Sequence, residues 1–452
     1  MKCKLVIVSC FLLLCSSLGY AQNTWKAGTA RAAITPKQPI WMGGFASRDR
    51  ASESVLHDIW AKALAIEDAK GNKALLITMD LLGISKPLSD GIRQELLTRY
   101  GLTKGQVILS TSHTHSGPVL DNALVDIYPV NEAQSAAIST YTQWLKTQVI
   151  EVAGKALKDL APATIYAQNG VTRFQVNRRN NPVATLNTVP DLNGPNEYSV
   201  PVLKVVNQKG ELKAITFGYA CHPTVLNTYG LSGDYVGFAQ IELEKYHPGA
   251  QAMFFQGAGA DQNPLPRGTV AIARQYGREL AAAVDRVLEE DMKLLTPQLT
   301  VAYSEAALPL REVASEAELT KIVEETKVDY YKRWAQRWLQ NARKGVKAPV
   351  SYPYPVQVWK MGDQSLVTLG GEVVVEYAIK IKQLLGPSTF VMGYANDVMG
   401  YIPSSTIVRE GGYEGETSQM VYGQPAAWRA DLETVILTEV KKVADQAGVK
   451  IP

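Results

Sequence analysis

Cysteine is scarce in this chain. There are four in 452 residues, and three of them (Cys3, Cys10, Cys15) fall within the first fifteen. Cys221 is alone in the remainder, which excludes an internal disulfide there, and a chain of this size needs none to hold a core. Histidine is nearly as scarce, with five. An excess of one charge is also missing: the formal net charge is +3. No basic stripe with interleaved aromatics occurs, which argues against a nucleic-acid partner. Beyond the N-terminus no apolar run is long enough to span a membrane. There is no internal repeat and no low-complexity tract. Hydrophobic residues at 46% and charged residues at 20% are the proportions of an ordinary globular protein.

Residues 1–21 read as an export signal. Lys2 and Lys4 form a charged start, Leu5 to Leu14 is mostly apolar, and Gly19-Tyr20-Ala21 is a small-x-small cleavage box. Cys15 lacks the small residues that precede a lipidated cysteine, so no lipid anchor is expected. Cleavage near Ala21 would give a periplasmic or secreted protein with no transmembrane segment. Its oligomeric state is not legible.

The pattern from residue 22 to 452 is α/β: mixed β-sheets flanked by helices, in a single large catalytic domain. Strands are expected at 27–36, 60–67 and 73–80, the last two paired around Gly71-Asn72. Further strands are expected at 165–176, 200–207 and 211–219, with a hairpin at 356–360 and 365–369. Helical spacing predicts helices at 86–99, 133–160, 269–288 and 426–446. One charged helix is expected over 315–344, with Tyr331, Trp334 and Trp338 on one face, an arrangement more often core packing than a ligand platform.

Against so few histidines, one segment stands out. Val107-Ile108-Leu109-Ser110-Thr111-Ser112-His113-Thr114-His115-Ser116-Gly117-Pro118 is an apolar run ending in two histidines spaced i, i+2. In extended backbone such side chains share a face. Both imidazoles can then reach one point past a strand end, where neutral imidazole is a common zinc ligand. The bland alternative is a polar strand end whose histidines only make hydrogen bonds. His222 also closes an apolar strand, in Gly218-Tyr219-Ala220-Cys221-His222-Pro223, and Glu372 follows Gly370-Gly371 after another. Asp234 in Ser232-Gly233-Asp234 reads as a helix N-cap. The glycine-rich loop from Gly257 to Pro264 lacks the lysine of a phosphate loop, so a nucleotide site is rejected.

Taken in order, these segments resemble the neutral, non-lysosomal ceramidases, zinc amidases that release a fatty acid from sphingoid bases. The similarity runs from Gly28-Thr29-Ala30-Arg31 through Met42-Gly43-Gly44-Phe45, His57, His113-Thr114-His115-Ser116-Gly117-Pro118 and Asn177-Arg178. It continues through His222, Ser232-Gly233-Asp234, Ala260-Asp261-Gln262-Asn263-Pro264 and Gly371-Glu372 to the block Asn396–Tyr401. The resemblance implies one Zn2+ held by His113, His222, Glu372 and Tyr401. It implies His115 beside the metal or facing substrate, and Arg178 in the active site. Asp261 and Asn263 fall in the family's Gly-Asp-x-Ser-Pro segment, with Asn263 where the family has serine. The family also carries a further β-sandwich domain, for which no room is expected before Pro452.

The implied chemistry is hydrolysis of an amide in a ceramide-like N-acyl substrate by zinc-bound water. The partner is then a small-molecule or lipid-like acylated substrate. Two other functions stay open: a zinc esterase or deacylase acting on a small or glycan-linked acyl group, and a non-catalytic lipid- or sugar-binding descendant. Asn263 cannot act as nucleophile or base, though it can hydrogen-bond.

Overall fold

The structure, a computed structural model, describes residues 24–451. The predicted signal segment 1–21 lies outside the described residues. The largest sheet has nine strands. Along its path run Gln251–Gln256, Leu212–Tyr219, Ser199–Asn207, Ala161–Val171, Trp25–Ala33, Trp60–Glu67, Lys73–Met79 and Val107–Thr111. Lys293–Leu294 pairs off this path with Ala161–Val171. The outermost pairs, 251–256 on 212–219 and 73–79 on 107–111, are parallel, whereas the pairs between them are antiparallel. A second sheet of four strands orders Leu299–Pro309, Ser351–Met361, Gln364–Leu369 and Phe390–Met392.

Strand alternation explains how these layers stack. In Trp60–Glu67, Ala61, Ala63 and Ala65 face one core while Leu64 and Ile66 face another. Lys73–Met79 repeats the division, with Leu75, Ile77 and Met79 on the first side and Ala74 and Leu76 on the second. The first core is closed by helices Lys86–Tyr100 and Glu132–Lys158. The second is shared with Trp359, Met361, Leu366 and Phe390 of the smaller sheet. Two sheets therefore pack face to face with helices on both outer sides, the far side being covered by Val375–Leu385 and Leu432–Gln446. Small residues allow the close approach of the first helix layer. A Cβ on Gly28 would lie 2.1 Å from Ala156 O in helix Glu132–Lys158.

Some expected elements differ. The helix expected over 315–344 is two helices, Glu316–Glu325 and Asp329–Arg343. Thr326 leaves the helix at ψ 135°, and Val328 N donates to its Oγ1, a local turn that competes with helical bonding. The strand expected at 165–176 is split into Ala161–Val171 and Gln175–Asn177, and the last helix begins at Leu432 rather than 426. Strand Leu299–Pro309 and helix Val375–Leu385 lie outside the expected elements. The aromatic stripe packs as expected: Trp334 is buried and donates through Nε1 to Gln424 O, while Trp338 Nε1 donates to Gly423 O.

The segment 390–396 ties the sheets together at one end. Thr111 N donates to Tyr394 O, Asn396 N to Leu109 O and Gly393 N to Gln256 O. The C-terminal ends of strands 107–111, 212–219, 251–256 and 364–369 therefore meet, and the loops that follow them carry the candidate residues. Among the described residues no helix is long and apolar enough to cross a membrane.

Candidate active site

The chain leaves strand Val107–Thr111 in a turn. Ser112 N donates to Met79 O, His113 N to Leu81 O, and His113 itself is left-handed at φ 63°. Extended backbone at i, i+2 therefore does not bring His113 and His115 together, as the sequence pattern suggested; the turn does. The loop is pinned by His115 N to Pro223 O, Thr114 Oγ1 to Ser232 O and Ser232 N to Ser116 O. His115 Nε2 ends 3.3 Å from His113 Nε2. Gly44, at φ 100°, gives the His115 ring its space, since a Cβ there would come within 2.4 Å of it.

His222 follows strand Leu212–Tyr219, and its Nδ1 lies 2.8 Å from Gly259 O. The glycine-rich loop has its role here. A Cβ on Gly259 would sit 2.6 Å from Cys221 N, so only glycine lets that carbonyl approach. Glu372 and Tyr401 are neighbours in a two-residue parallel ladder, Glu372–Val373 on Tyr401–Ile402. Glu372 Oε2 lies 3.1 Å from both His113 Nε2 and His222 Nε2. Its Oε1 accepts from Tyr422 OH.

Proton bookkeeping shows what this cluster is built for. A carbonyl oxygen only accepts, so His113 Nδ1, 2.6 Å from Leu82 O, carries a proton, and so does His222 Nδ1. Burial pushes His222 down to about 4, so its ring is neutral near pH 7. Its Nε2 lone pair then points at a carboxylate oxygen. Burial alone raises Glu372, but the imidazoles of His113 and His222 outweigh it and hold the carboxyl well below its ordinary value. A carboxylate held that low needs positive charge beside it, and a neutral His222 supplies none; a cation shared by His222 Nε2 and Glu372 Oε2, 3.1 Å apart, satisfies both. Donor atoms around a tetrahedral zinc lie about 3.3 Å apart at ordinary zinc–nitrogen lengths. The two spacings of Glu372 Oε2 from His113 Nε2 and His222 Nε2, both 3.1 Å, are close to that edge length. Backbone carbonyls that fix the outer ring nitrogen are the usual support of metal-bound histidine. Buried His113, His115 and His222 can hold a metal ion.

His115 differs from the other two. Its Nδ1 is buried with no protein partner, so no carbonyl fixes its tautomer. Burial, then the neighbouring imidazoles of His113 and His222, push it well below its usual value. Tyr401 OH accepts from Arg178 Nη2 at 3.1 Å. Burial raises the Tyr401 phenol well above its usual value against the pull of Arg178, so it keeps its proton unless a cation sits at its oxygen. Arg178 is also held by Glu414, Nε to Oε1 at 2.8 Å.

His113, His115, Glu372 and Tyr401 line one cavity of about 200 Å³, and His222 meets it through Glu372. Asp261 and Asn263 are not among the residues lining it. Asp261 instead accepts from Asn177 Nδ2 and from Val375 N, capping helix Val375–Leu385, while its carbonyl accepts from Arg178 N. Asn263 sits in a short ladder opposite Val176. Asp234 is not the helix cap; Gly233 is, and the buried Asp234 carboxylate accepts from Val225 N and Leu226 N. Sequence reading missed Tyr128, Tyr330, Tyr413 and Tyr422, all on the cavity wall. They lie in loops and helices with no distinguishing local pattern.

The sequence model described as neutral/alkaline non-lysosomal ceramidase, N-terminal, matches residues 25–269. The chain belongs to this family. Neutral ceramidase of Drosophila pseudoobscura pseudoobscura is 26% identical over 243 residues, which is 51% of this chain and 34% of that protein. Neutral ceramidase A of Dictyostelium discoideum is 24% identical over 309 residues, 59% of this chain and 42% of that protein. The matched stretch thus spans well under half the length of either relative. The crystal structure of neutral ceramidase from Pseudomonas aeruginosa superposes with a TM-score of 0.73 at 18% identity, covering 95% of this chain and 75% of that one. The mixed sheets and flanking helices are therefore the fold of a neutral ceramidase.

Proposed function

We propose that the protein is an exported zinc-dependent hydrolase that cleaves the amide of a ceramide-like N-acyl substrate. The observation that carries this reading is the meeting of two carbonyl-fixed imidazoles, His113 and His222, on the Glu372 carboxylate. Membership in the ceramidase family supports it. His113, His222, Glu372 and Tyr401 would hold the zinc, Tyr401 completing the set beside Glu372 in the ladder. Zinc bound there supplies Lewis acidity and activates a water.

The chain's own groups do the rest. Arg178 keeps an N–H aimed at the Tyr401 oxygen, and its part-buried guanidinium, held by Glu414, can stabilise negative charge forming there. His115, whose tautomer no carbonyl locks, is the group able to take or give a proton at the leaving amine. Asp261 holds the Arg178 backbone and the helix after Glu372 in one register. Tyr422 orients the Glu372 carboxylate. The intact donor set argues against a purely binding role.

An ester or small glycan-linked acyl substrate is favoured by one observation: the cavity is small and five tyrosines line it. The deciding experiment assays metal-loaded protein against matched N-acyl and O-acyl chromogenic substrates, with and without chelator. Chelator-sensitive amide hydrolysis supports the amidase. Ester hydrolysis alone would favour the second reading, and no turnover of either would defeat both.

A further inference from the structure

The catalytic cavity has a partition. Leu82, Leu124 and Tyr422 line it on one side and an apolar void of about 20 Å³ on the other. Beyond the partition the void is walled by Ile84, Val119 and Val398. Two of the three shared residues are committed to the catalytic cluster: Leu82 O accepts from His113 Nδ1, and Tyr422 OH donates to Glu372. Leu124 has no such duty. It is 93% buried, yet its backbone is left-handed at φ 52°, two residues after Asn122 at φ 59°. A leucine in that region is strained, and such strain persists where the surroundings demand it. The effect is to hold an isobutyl group between the cavity and the void.

Size gives the consequence. Pockets that bury drug-sized ligands hold about 300–1,000 Å³. The cavity, at about 200 Å³, is smaller. We infer that Leu124 is the stop that sets acyl length: the site takes a short-chain acyl group, and Leu124 closes it to a long one. This rests on the hydrolase reading above. Removing the leucine side chain would join cavity and void and free space for roughly four further carbons.

The test uses one amine acylated with chains from acetyl to dodecanoyl, below their micellar concentrations. Wild-type protein is compared with Leu124→Gly and Leu124→Ala. Glycine suits the left-handed backbone, so it guards against a variant that fails to fold. Wild type should favour the shortest chains, with kcat/KM falling at least tenfold by octanoyl. In the variants the ratio of octanoyl to acetyl kcat/KM should rise at least tenfold. A parallel series of free carboxylates, read by calorimetric binding to the metal-loaded protein, should show the same stop without turnover. Wild-type kcat/KM that climbs to dodecanoyl, or variants whose chain-length profile matches wild type, would overturn the inference while leaving the hydrolase reading standing. If nothing is turned over, the hydrolase reading fails; the carboxylate series then decides the stop alone, and a flat profile in it overturns the inference.

Discussion

Glu372 and Tyr401 stand opposite one another in a parallel ladder only two residues long, with Glu372 N donating to Gly400 O at 2.8 Å. Gly371, at φ 71°, makes that approach possible, since a Cβ there would lie 2.8 Å from Gly400 O. The ladder puts a carboxylate and a phenol, 29 positions apart in the chain, side by side at the cavity.

The first prediction concerns the metal. Protein purified without chelator should hold about one divalent ion per chain, and His113→Ala and His222→Ala should each lose nearly all of it. Stripping the ion should also lower the melting temperature, because a ligand at about a thousand times its Kd adds roughly 4 kcal/mol. Elemental analysis after dialysis is the check, and full occupancy in both variants would sink the assignment.

Arg178 should matter more to turnover than to folding. Glu414 keeps a second partner in Arg179, Nη1 to Oε2 at 2.8 Å, so Arg178→Ala does not leave a lone buried carboxylate. Loss of one such donor commonly costs about a hundredfold or more in kcat. Melting curves and metal content should stay near wild type. A variant that simply unfolds would mark Arg178 as structural.

Asn263→Ala should lose at most roughly a few tens-fold in rate, less than a full oxyanion donor. Asn263 is not on the cavity wall, and an amide is not a nucleophile at neutral pH. Hydrolysis should therefore pass through no acyl-enzyme. Mass spectrometry of quenched reactions checks this, and an acylated serine or threonine would overturn it.

Asp397 supplies a pH dependence of stability. Burial pushes its carboxyl up to about 7, against the hydrogen bond from Tyr352 OH at 2.6 Å. The unfolded value is about 3.9. The folded state thus holds the proton more tightly, so the contribution is fully present below about pH 4 and declines as pH rises to about 7. By linkage it can reach roughly 4 kcal/mol. Asp397→Asn should flatten that decline, so its melting temperature should gain on wild type between pH 4 and 7. Parallel curves across the range would show that Asp397 does not titrate there.

Much of the architecture could be read from residue patterns. The strands at 60–67 and 73–79 were legible because both are mostly apolar runs, buried on both faces, that flank the turn at Gly71-Asn72. Helices 86–100 and 132–158 were legible from helical spacing, with Gly101 at φ 67° ending the first. The histidine-rich segment marked the site because so few histidines are present at all. What local pattern cannot carry is convergence. The turn at His113, the approach of Gly259 O to His222 and the Glu372–Tyr401 ladder each depend on backbone from a distant part of the chain. The tyrosine-lined wall and the partition at Leu124 exist only once two sheets and the loops beyond them have packed. Composition and periodicity record which face of an element is buried; they do not record what it is buried against, and that is where the tertiary structure alone decided the site.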